Sequence, residues 1–279
     1  MGSLLKMIDI EDLKNIALKA GEIIMQIYKK DFSVEYKDDK SPLTLADLKS
    51  NEYICSYLQK LYPDIPIMSE ENKEVPYEVR KNWEYYFCID PIDGTKEFIK
   101  KNDEFTVNIA LIHKDTPVAG VVYAPALNEL YWAKKDEGAY LSIVNSQLTI
   151  VENKKLPCYK KEQNKLVVVA SKSHMTKETQ EFIDKLSTSD YELSTISKGS
   201  SLKLCMVATG EADIYPRLAP TMEWDTAAAH AIVLESGKNV YIYEIPTTTN
   251  DYQPQTIEYD LKIMKYNKEN LLNTWFVVR

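Results

Sequence analysis

Asp90-Pro91-Ile92-Asp93-Gly94-Thr95 follows an apolar run, Tyr85-Tyr86-Phe87-Cys88-Ile89, and its reading decides how the rest of the chain is assembled. Pro91 cannot donate a ladder hydrogen bond, so the run reads as a strand that ends here. Gly94 permits a sharp turn. Two carboxylates on a kinked strand end suit a hard divalent cation such as Mg²⁺, and the amides of Gly94 and Thr95 are placed to hold an anion beside it. A cation and an anion cradle together point to phosphate chemistry. Asp93-Gly94 taken alone also reads as a plain hairpin turn. Against that, Lys96-Glu97-Phe98-Ile99 does not begin a clean alternating strand, and further acids stand at suggestive places elsewhere.

Upstream, Leu13, Ile16, Ala17, Ala20, Ile23, Ile24 and Ile27 share one face at helical spacing. A charged link over residues 37–42 leads to a second helix opened by Thr44 and closed by Pro63 and Pro66, and the apolar piece Ile65-Pro66-Ile67-Met68 runs into Ser69-Glu70-Glu71-Asn72. Downstream, Thr106–His113 and residues 118–123 read as neighbouring strands, and 130–133 with 138–141 as a hairpin, so this half reads as α+β. The polar tract 152–164 is the expected boundary between a domain of residues 1–150 and one of 151–279. Beyond it the pattern alternates: strand 166–170, helix 177–186, strand 192–197, helix 201–209 ended by Gly210, strand 212–215, helix 226–236 ended by Gly237, strand 240–243. Alternation of this kind implies α/β architecture.

The bulk numbers bound the function. The 279 residues are 44% apolar and 27% charged, as in a soluble globular protein. A net charge of −8 without a basic block argues against binding a nucleic acid polymer or an anionic membrane. A small anionic substrate stays open, since bound cations can reverse the sign inside a cleft. Four scattered cysteines (Cys55, Cys88, Cys158, Cys205) with no CxxC pair read as free thiols in a reducing, cytoplasmic setting. No apolar run approaches the roughly 20 residues of a membrane span.

Singly, each remaining acid has an ordinary explanation. Asp47 sits in the first turn of a helix, where most aspartates compensate the dipole. Glu70 alone would be a surface residue. Asp225, in Glu223-Trp224-Asp225-Thr226-Ala227-Ala228-Ala229-His230, would be an N-cap. Their order and local sequence together are informative. Glu70-Glu71, Asp90-Pro91-Ile92-Asp93-Gly94-Thr95 and Trp224-Asp225-Thr226-Ala227-Ala228, with Thr44-Leu45-Ala46-Asp47, resemble the lithium-sensitive, magnesium-dependent phosphatase superfamily that contains inositol monophosphatases and 3′(2′),5′-bisphosphate nucleotidases. The likeness covers nearly the whole chain. Lys96-Glu97-Phe98 after the Asp-Gly-Thr, the stretch from Gly199 through Arg217, and Pro220-Thr221-Met222-Glu223 resemble the nucleotidase branch. Ala229 and Lys238 stand where the family commonly has glycine, which questions local helix packing.

The resemblance implies a layered αβαβα sandwich of two domains with the site between them. It implies two or three Mg²⁺ ions: one on Glu70, Asp90 and the Ile92 carbonyl, a second on Asp90, Asp93 and Asp225, a weaker third near Asp47. Thr95 would orient the attacking water, and Glu70 or Asp47 would accept its proton. Phosphate would rest on Gly94 and Thr95. Lys203 and Arg217, with Ser200, Ser201 and His174, would contact a second, unreactive phosphate; solvated surface charge competes as the reading of the two cations, and an incidental loop position as that of His174. The implied reaction releases the 3′-phosphate of adenosine 3′,5′-bisphosphate, and homodimers are common among relatives. The rivals are an inositol monophosphatase or inositol polyphosphate 1-phosphatase, and a non-catalytic metal or nucleotide sensor on the same scaffold.

Overall fold

Asp9 opens the long N-terminal helix by accepting the Glu11 amide on its carboxylate at 2.9 Å. In this computed structural model, residues 4–30, 33–36, 42–171, 175–187, 191–244 and 262–279 are described. His174, most of the charged link after residue 36 and much of the polar tail lie outside them. A short turn α1 (Leu4–Met7) precedes that helix, α2 (Ile10–Tyr28). The strands β1 (Val34–Tyr36) and β2 (Pro42–Thr44) pair antiparallel and lead into α3 (Leu45–Leu61). Thr44 is its N-cap, and Asp47 completes a capping box with it.

A seven-stranded sheet follows: β3 (Ile67–Ser69), then, after α4 (Tyr77–Arg80), β4 (Tyr85–Asp93), and after α5 (Thr95–Ile99), β5 (Thr106–His113), β6 (Thr116–Ala124), β7 (Glu129–Lys134), β8 (Gly138–Val144) and β9 (Ile150–Lys155). Strand order follows the chain; β3 runs parallel to β4 and every other pair is antiparallel. Alternate residues go to opposite faces. Phe87, Ile89, Ile109, Leu111 and Val121 join the cluster formed with α2 and α3, while Tyr86, Cys88, Ala110, Ile112 and Val122 join one formed with later helices. Both faces are therefore covered, which explains strands that are apolar almost throughout.

The second half supplies the other layers: β10 (Lys165–Ala170), α6 (Lys177–Lys185), β11 (Glu192–Ser197), α7 (Leu202–Thr209), β12 (Tyr215–Arg217), α8 (Ala227–Glu235), β13 (Val240–Ile242) and β14 (Phe276–Val278). Helices α7 and α8 lie against the large sheet, and their far side packs on β10, β12 and β13. Helix α6 covers the outside of those strands through Phe182, Ile183 and Leu186 on Val168, Ala170 and Val277. The result is an α+β protein layered helix, sheet, helix, sheet, helix.

Three local expectations change. Strand β4 does not stop at Pro91; it continues to Asp93, which pairs with Thr106, through an irregularity between Asp90 and Asp93. The missing N–H is tolerated at a bulge, and the Ser50 hydroxyl donates to the Pro91 carbonyl at 3.0 Å. The strand expected at 212–215 begins regular pairing only at Tyr215, because its partner β14 comes from the far end of the chain; before that, Asp213 and Ile214 donate to Val167 on the edge of β10. Strand β9 runs into the polar tract from residue 152, and its exposed edge position accounts for the polarity. Ala229, where packing was in question, is completely buried, and Lys238 donates its Nζ to the Val207 carbonyl near the end of α7.

Candidate active site

Each acid is delivered by a different device. Asp47, 2% exposed, uses one oxygen for its cap: Oδ2 accepts the Thr44 amide at 2.8 Å and the Thr44 hydroxyl at 2.6 Å. Its other oxygen, Oδ1, lies 3.3 Å from the Thr95 hydroxyl, which is also 3.2 Å from the Ile92 carbonyl. Glu70 leaves β3 in the direction of the cavity, its amide held by the Ile89 carbonyl at 3.1 Å. Asp90 is buried on β4 and accepts the Ile92 amide at 3.0 Å. Asp93 ends that strand, and Gly94 turns the chain at φ +89°; a Cβ there would stand 3.1 Å from the Glu104 carbonyl. Asp225 is not an N-cap: Thr226 holds that position, and Asp225 Oδ2 accepts the Met222 amide at 2.8 Å, bracing its own loop.

Burial and mutual repulsion disfavour charge on these groups. Asp90 is raised far above the usual carboxylate range, first by desolvation, then by Glu70, Asp93, Asp225 and Asp47. Asp225 is pushed up to about 8 by burial and by Asp93. Burial raises Asp93, with the Ser201 hydrogen bond and Lys203 opposing, and burial raises Asp47 against its Thr44 hydrogen bonds. Among the described residues no group of three or more His, Cys, Asp or Glu side chains is already arranged to hold a metal ion. The donor set nevertheless fits a hard cation in its chemistry: it is all oxygen, and its members repel one another without a bound positive charge.

A cavity of about 400 Å³ opens over this cluster, with walls from both halves of the chain. Glu70, Asp93, Gly94, Thr95 and Asp225 line it together with Ser200, Lys203, Tyr215 and Arg217. Lys203 and Arg217 are not solvated surface charges; they are 5% and 9% exposed. Lys203 Nζ donates to the Ser200 carbonyl at 2.6 Å, sits 5.6 Å from the centre of the Tyr215 ring, and is lowered to about 8 by burial. Arg217 Nη2 donates to the Pro220 carbonyl at 2.9 Å, while its Nε and the Ser200 hydroxyl are buried with no partner among the described residues.

Ser201 departs from its expected place. It is 1% exposed, does not line the cavity, and points its hydroxyl at Asp93 and the Asp225 carbonyl. Asn108, which sequence reading missed, bonds to that hydroxyl. Its signal was available: a lone amide inside the apolar strand Thr106–His113.

Residues 7–267 match the Inositol monophosphatase family. The chain is 41% identical to the 3′(2′),5′-bisphosphate nucleotidase CysQ of Salmonella typhimurium over 271 residues, 96% of this chain and 98% of that protein. It is 39% identical to the protein of that name from Escherichia coli K12, over the same shares. Among solved structures, CysQ from Bacteroides thetaiotaomicron, described as a bacterial member of the inositol monophosphatase family, superposes with a TM-score of 0.80 at 40% identity, covering 96% of each chain. An inositol monophosphatase of Thermotoga maritima superposes at 0.68 with 25% identity, over 84% of this chain and 85% of that one. On sequence and architecture alike, the chain belongs to the inositol monophosphatase family.

Proposed function

We propose that this protein is a phosphomonoesterase that removes the 3′-phosphate of adenosine 3′,5′-bisphosphate, giving AMP and phosphate, with the sulfated analogue as a second substrate. Its CysQ relatives, at 39–41% identity over almost the full chain, carry the corresponding name. The observation that carries the substrate class is one cavity lined both by acids and by two buried cations, Lys203 and Arg217. A substrate with a reacting phosphate and a second phosphate answers both sets of groups. An inositol monophosphate would leave the buried Arg217 Nε and Ser200 hydroxyl, which have no partner among the described residues, without an acceptor.

Mg²⁺ is the cation we assign, on Glu70, Asp90 and the Ile92 carbonyl, on Asp90, Asp93 and Asp225, and more weakly near Asp47. When bound, it would supply positive charge that makes water a better nucleophile and neutralises the phosphoryl group and leaving oxygen. The chain's own residues do the rest. Thr95, donating to Asp47, keeps its lone pairs free to orient a water. Asp47, with Oδ1 3.3 Å from the Thr95 hydroxyl, is placed to take the proton from that water; Glu70 is the alternative acceptor. The Gly94–Thr95 turn receives the phosphate, with Lys203, Arg217 and Ser200 holding the distal one.

No helix among the described residues is long and apolar enough to cross a membrane. The proposal extends to a homodimer in a reducing cytoplasm, in keeping with four unpaired thiols. Phosphate release from adenosine 3′,5′-bisphosphate and inositol 1-phosphate, side by side with Mg²⁺, tests the reading. Preference for the nucleotide is expected; preference for the inositol ester would overturn it.

A further inference from the structure

Asp93 and Asp225 come from opposite halves of the chain, one at the end of β4 and the other just ahead of α8. Cooperation between them requires that these two segments keep a fixed spacing. Ser201 touches both. Its hydroxyl lies 2.6 Å from Asp93 Oδ2 and 2.7 Å from the Asp225 carbonyl. It accepts a hydrogen bond from Asn108 Nδ2 at 2.9 Å, and Asn108 Oδ1 in turn accepts the Thr106 hydroxyl at 3.0 Å. Thr106, Asn108 and Ser201 are all at most 1% exposed.

Ser201 orients this network. Its hydroxyl has one proton and already faces two acceptors, Asp93 Oδ2 and the Asp225 carbonyl, so its third neighbour must be a donor, the Asn108 amide nitrogen, which leaves Asn108 Oδ1 to accept from Thr106. With that donor occupying a lone pair, the single Ser201 proton is left for Asp93 or the Asp225 carbonyl. Ser201 also stands at the N-cap position of α7, where a serine ordinarily accepts an amide of its own helix. Here it makes no such bond. Its hydroxyl is turned away from the usual local use and toward the two acid-bearing segments.

We propose that Thr106, Asn108 and Ser201 form a positioning relay that fixes the separation and orientation of Asp93 and Asp225, with Asn108 the residue that aims Ser201. The relay rests on the reading above that these carboxylates act together on a cation. None of the three residues lines the cavity, so the effect of losing them is transmitted through the acids. Residues behind metal ligands typically change affinity or activity by about 10–100-fold when removed.

The test uses the full-length protein with Ser201→Ala, Asn108→Ala, the double variant and Ser201→Thr. Mg²⁺ binding is measured by calorimetry without substrate, alongside unfolding temperature and the steady-state constants for phosphate release. The single alanine variants are expected to weaken Mg²⁺ binding by about 10-fold or more. The double variant should be little worse than either, because the residues act in series. Ser201→Thr, which keeps the hydroxyl, should recover most of the affinity, and KM for the ester at saturating Mg²⁺ should barely move. Wild-type affinity in folded Ser201→Ala, or losses that multiply in the double variant, would overturn the relay. A wild type that binds Mg²⁺ but hydrolyses neither ester would defeat the functional reading while leaving the relay to be judged on binding; a wild type that binds no Mg²⁺ defeats both.

Discussion

At Gly120 the backbone of β6 packs directly against that of α8, and replacing it tests how the fold holds Asp225. A Cβ at this position would stand 2.2 Å from the Ala228 carbonyl oxygen and 2.9 Å from Ala231 Cβ. Contacts under 3.0 Å are essentially never seen for real Cβ atoms, so Gly120→Ala requires the helix and strand to separate by about 0.8 Å, the difference between 2.2 and 3.0 Å. The close neighbour is helix backbone, which cannot swing aside as a side chain can. Overpacking of this kind costs about 1–3 kcal/mol. Alanine recovers part of it, about 0.4–1 kcal/mol, by restricting the unfolded chain. A net loss of about 1–2 kcal/mol corresponds to about 2–4 °C in unfolding temperature for each kcal/mol in a chain of this size.

The activity should fall further than the stability. Asp225 lies just ahead of Ala227, the first residue of α8. A helix moved by most of an ångström carries that carboxylate with it, and misplacement of about 1 Å costs on the order of 100-fold in rate. We expect Gly120→Ala to unfold a few degrees early and to lose most of its phosphate release while remaining folded at assay temperature, measured by calorimetry and by kcat. Adding Ala231→Gly should restore little, since it removes the 2.9 Å contact and leaves the 2.2 Å one. Unchanged stability would refute the packing argument. Reduced stability with full activity would refute the link from α8 to Asp225.

Asp90→Asn should abolish phosphate release and raise the unfolding temperature of the metal-free protein, since folding at neutral pH must otherwise bury that charge beside Glu70, Asp93, Asp225 and Asp47 or take up a proton there; retained turnover or lower stability would contradict the assigned role. Lys203→Ala and Arg217→Ala should each raise KM for adenosine 3′,5′-bisphosphate by at least about 10-fold, given about 1.5–3 kcal/mol for a hydrogen bond to a charged group, and leave hydrolysis of inositol 1-phosphate little affected; equal losses on both esters would place the two cations elsewhere in the reaction. His230, fully buried between Tyr266 and Asn239, is lowered by burial to about 4 from 6.5. Between those values the unfolded chain binds the extra proton, so stability rises with pH across the window, by on the order of 3 kcal/mol. Urea unfolding at pH 4 and 7 should show that dependence in the wild type and its loss in His230→Gln; an identical pH profile in the variant would refute it.

What the sequence made legible was whatever is decided locally. Periodicity located the helix pair and the strands on either side of Lys114-Asp115, and Gly210 and Gly237 marked helix ends. The acid-bearing segments were readable because their spacing and flanking residues are themselves local. Pro91 misled, because a local rule about donors was overridden by a bulge and by Ser50 on a helix 41 residues away. The late start of β12 and the existence of β14 depend on a pairing between Tyr215 and Val278 that no window of sequence contains. Lys203 and Arg217 read alone as solvated cations; only the packing of Tyr215 and the layers around it buries them. Ser201 and Ser200 are adjacent and chemically equivalent in the sequence, yet one faces the cavity and the other the acids. That difference is set by a contact across 93 residues, to Asn108.

The opposite perturbations of the acids and the lysine that line the cavity bear on specificity. Burial pushes Asp225 up to about 8 and Lys203 down to about 8, so desolvation disfavours charge at both. A cation on the acids, as proposed, would relieve Asp225 and not Lys203. The Arg217 Nε and the Ser200 hydroxyl are buried without partners among the described residues. Under the proposed function, a ligand with a single phosphate held at the acids would leave those groups unsatisfied, and one with a second phosphate at the right distance would satisfy them together with Lys203. Rejection of an analogue that strands buried polar groups is much stronger than rejection by a missing apolar contact, about 10⁴–10⁵-fold against about 10–200-fold for a methylene. Under the proposed function, discrimination between nucleotide and inositol ester would lie in the unrelieved polarity of Ser200 and Arg217 beside Lys203, and the acids, which would meet the reacting phosphate of either ester, would contribute little to it.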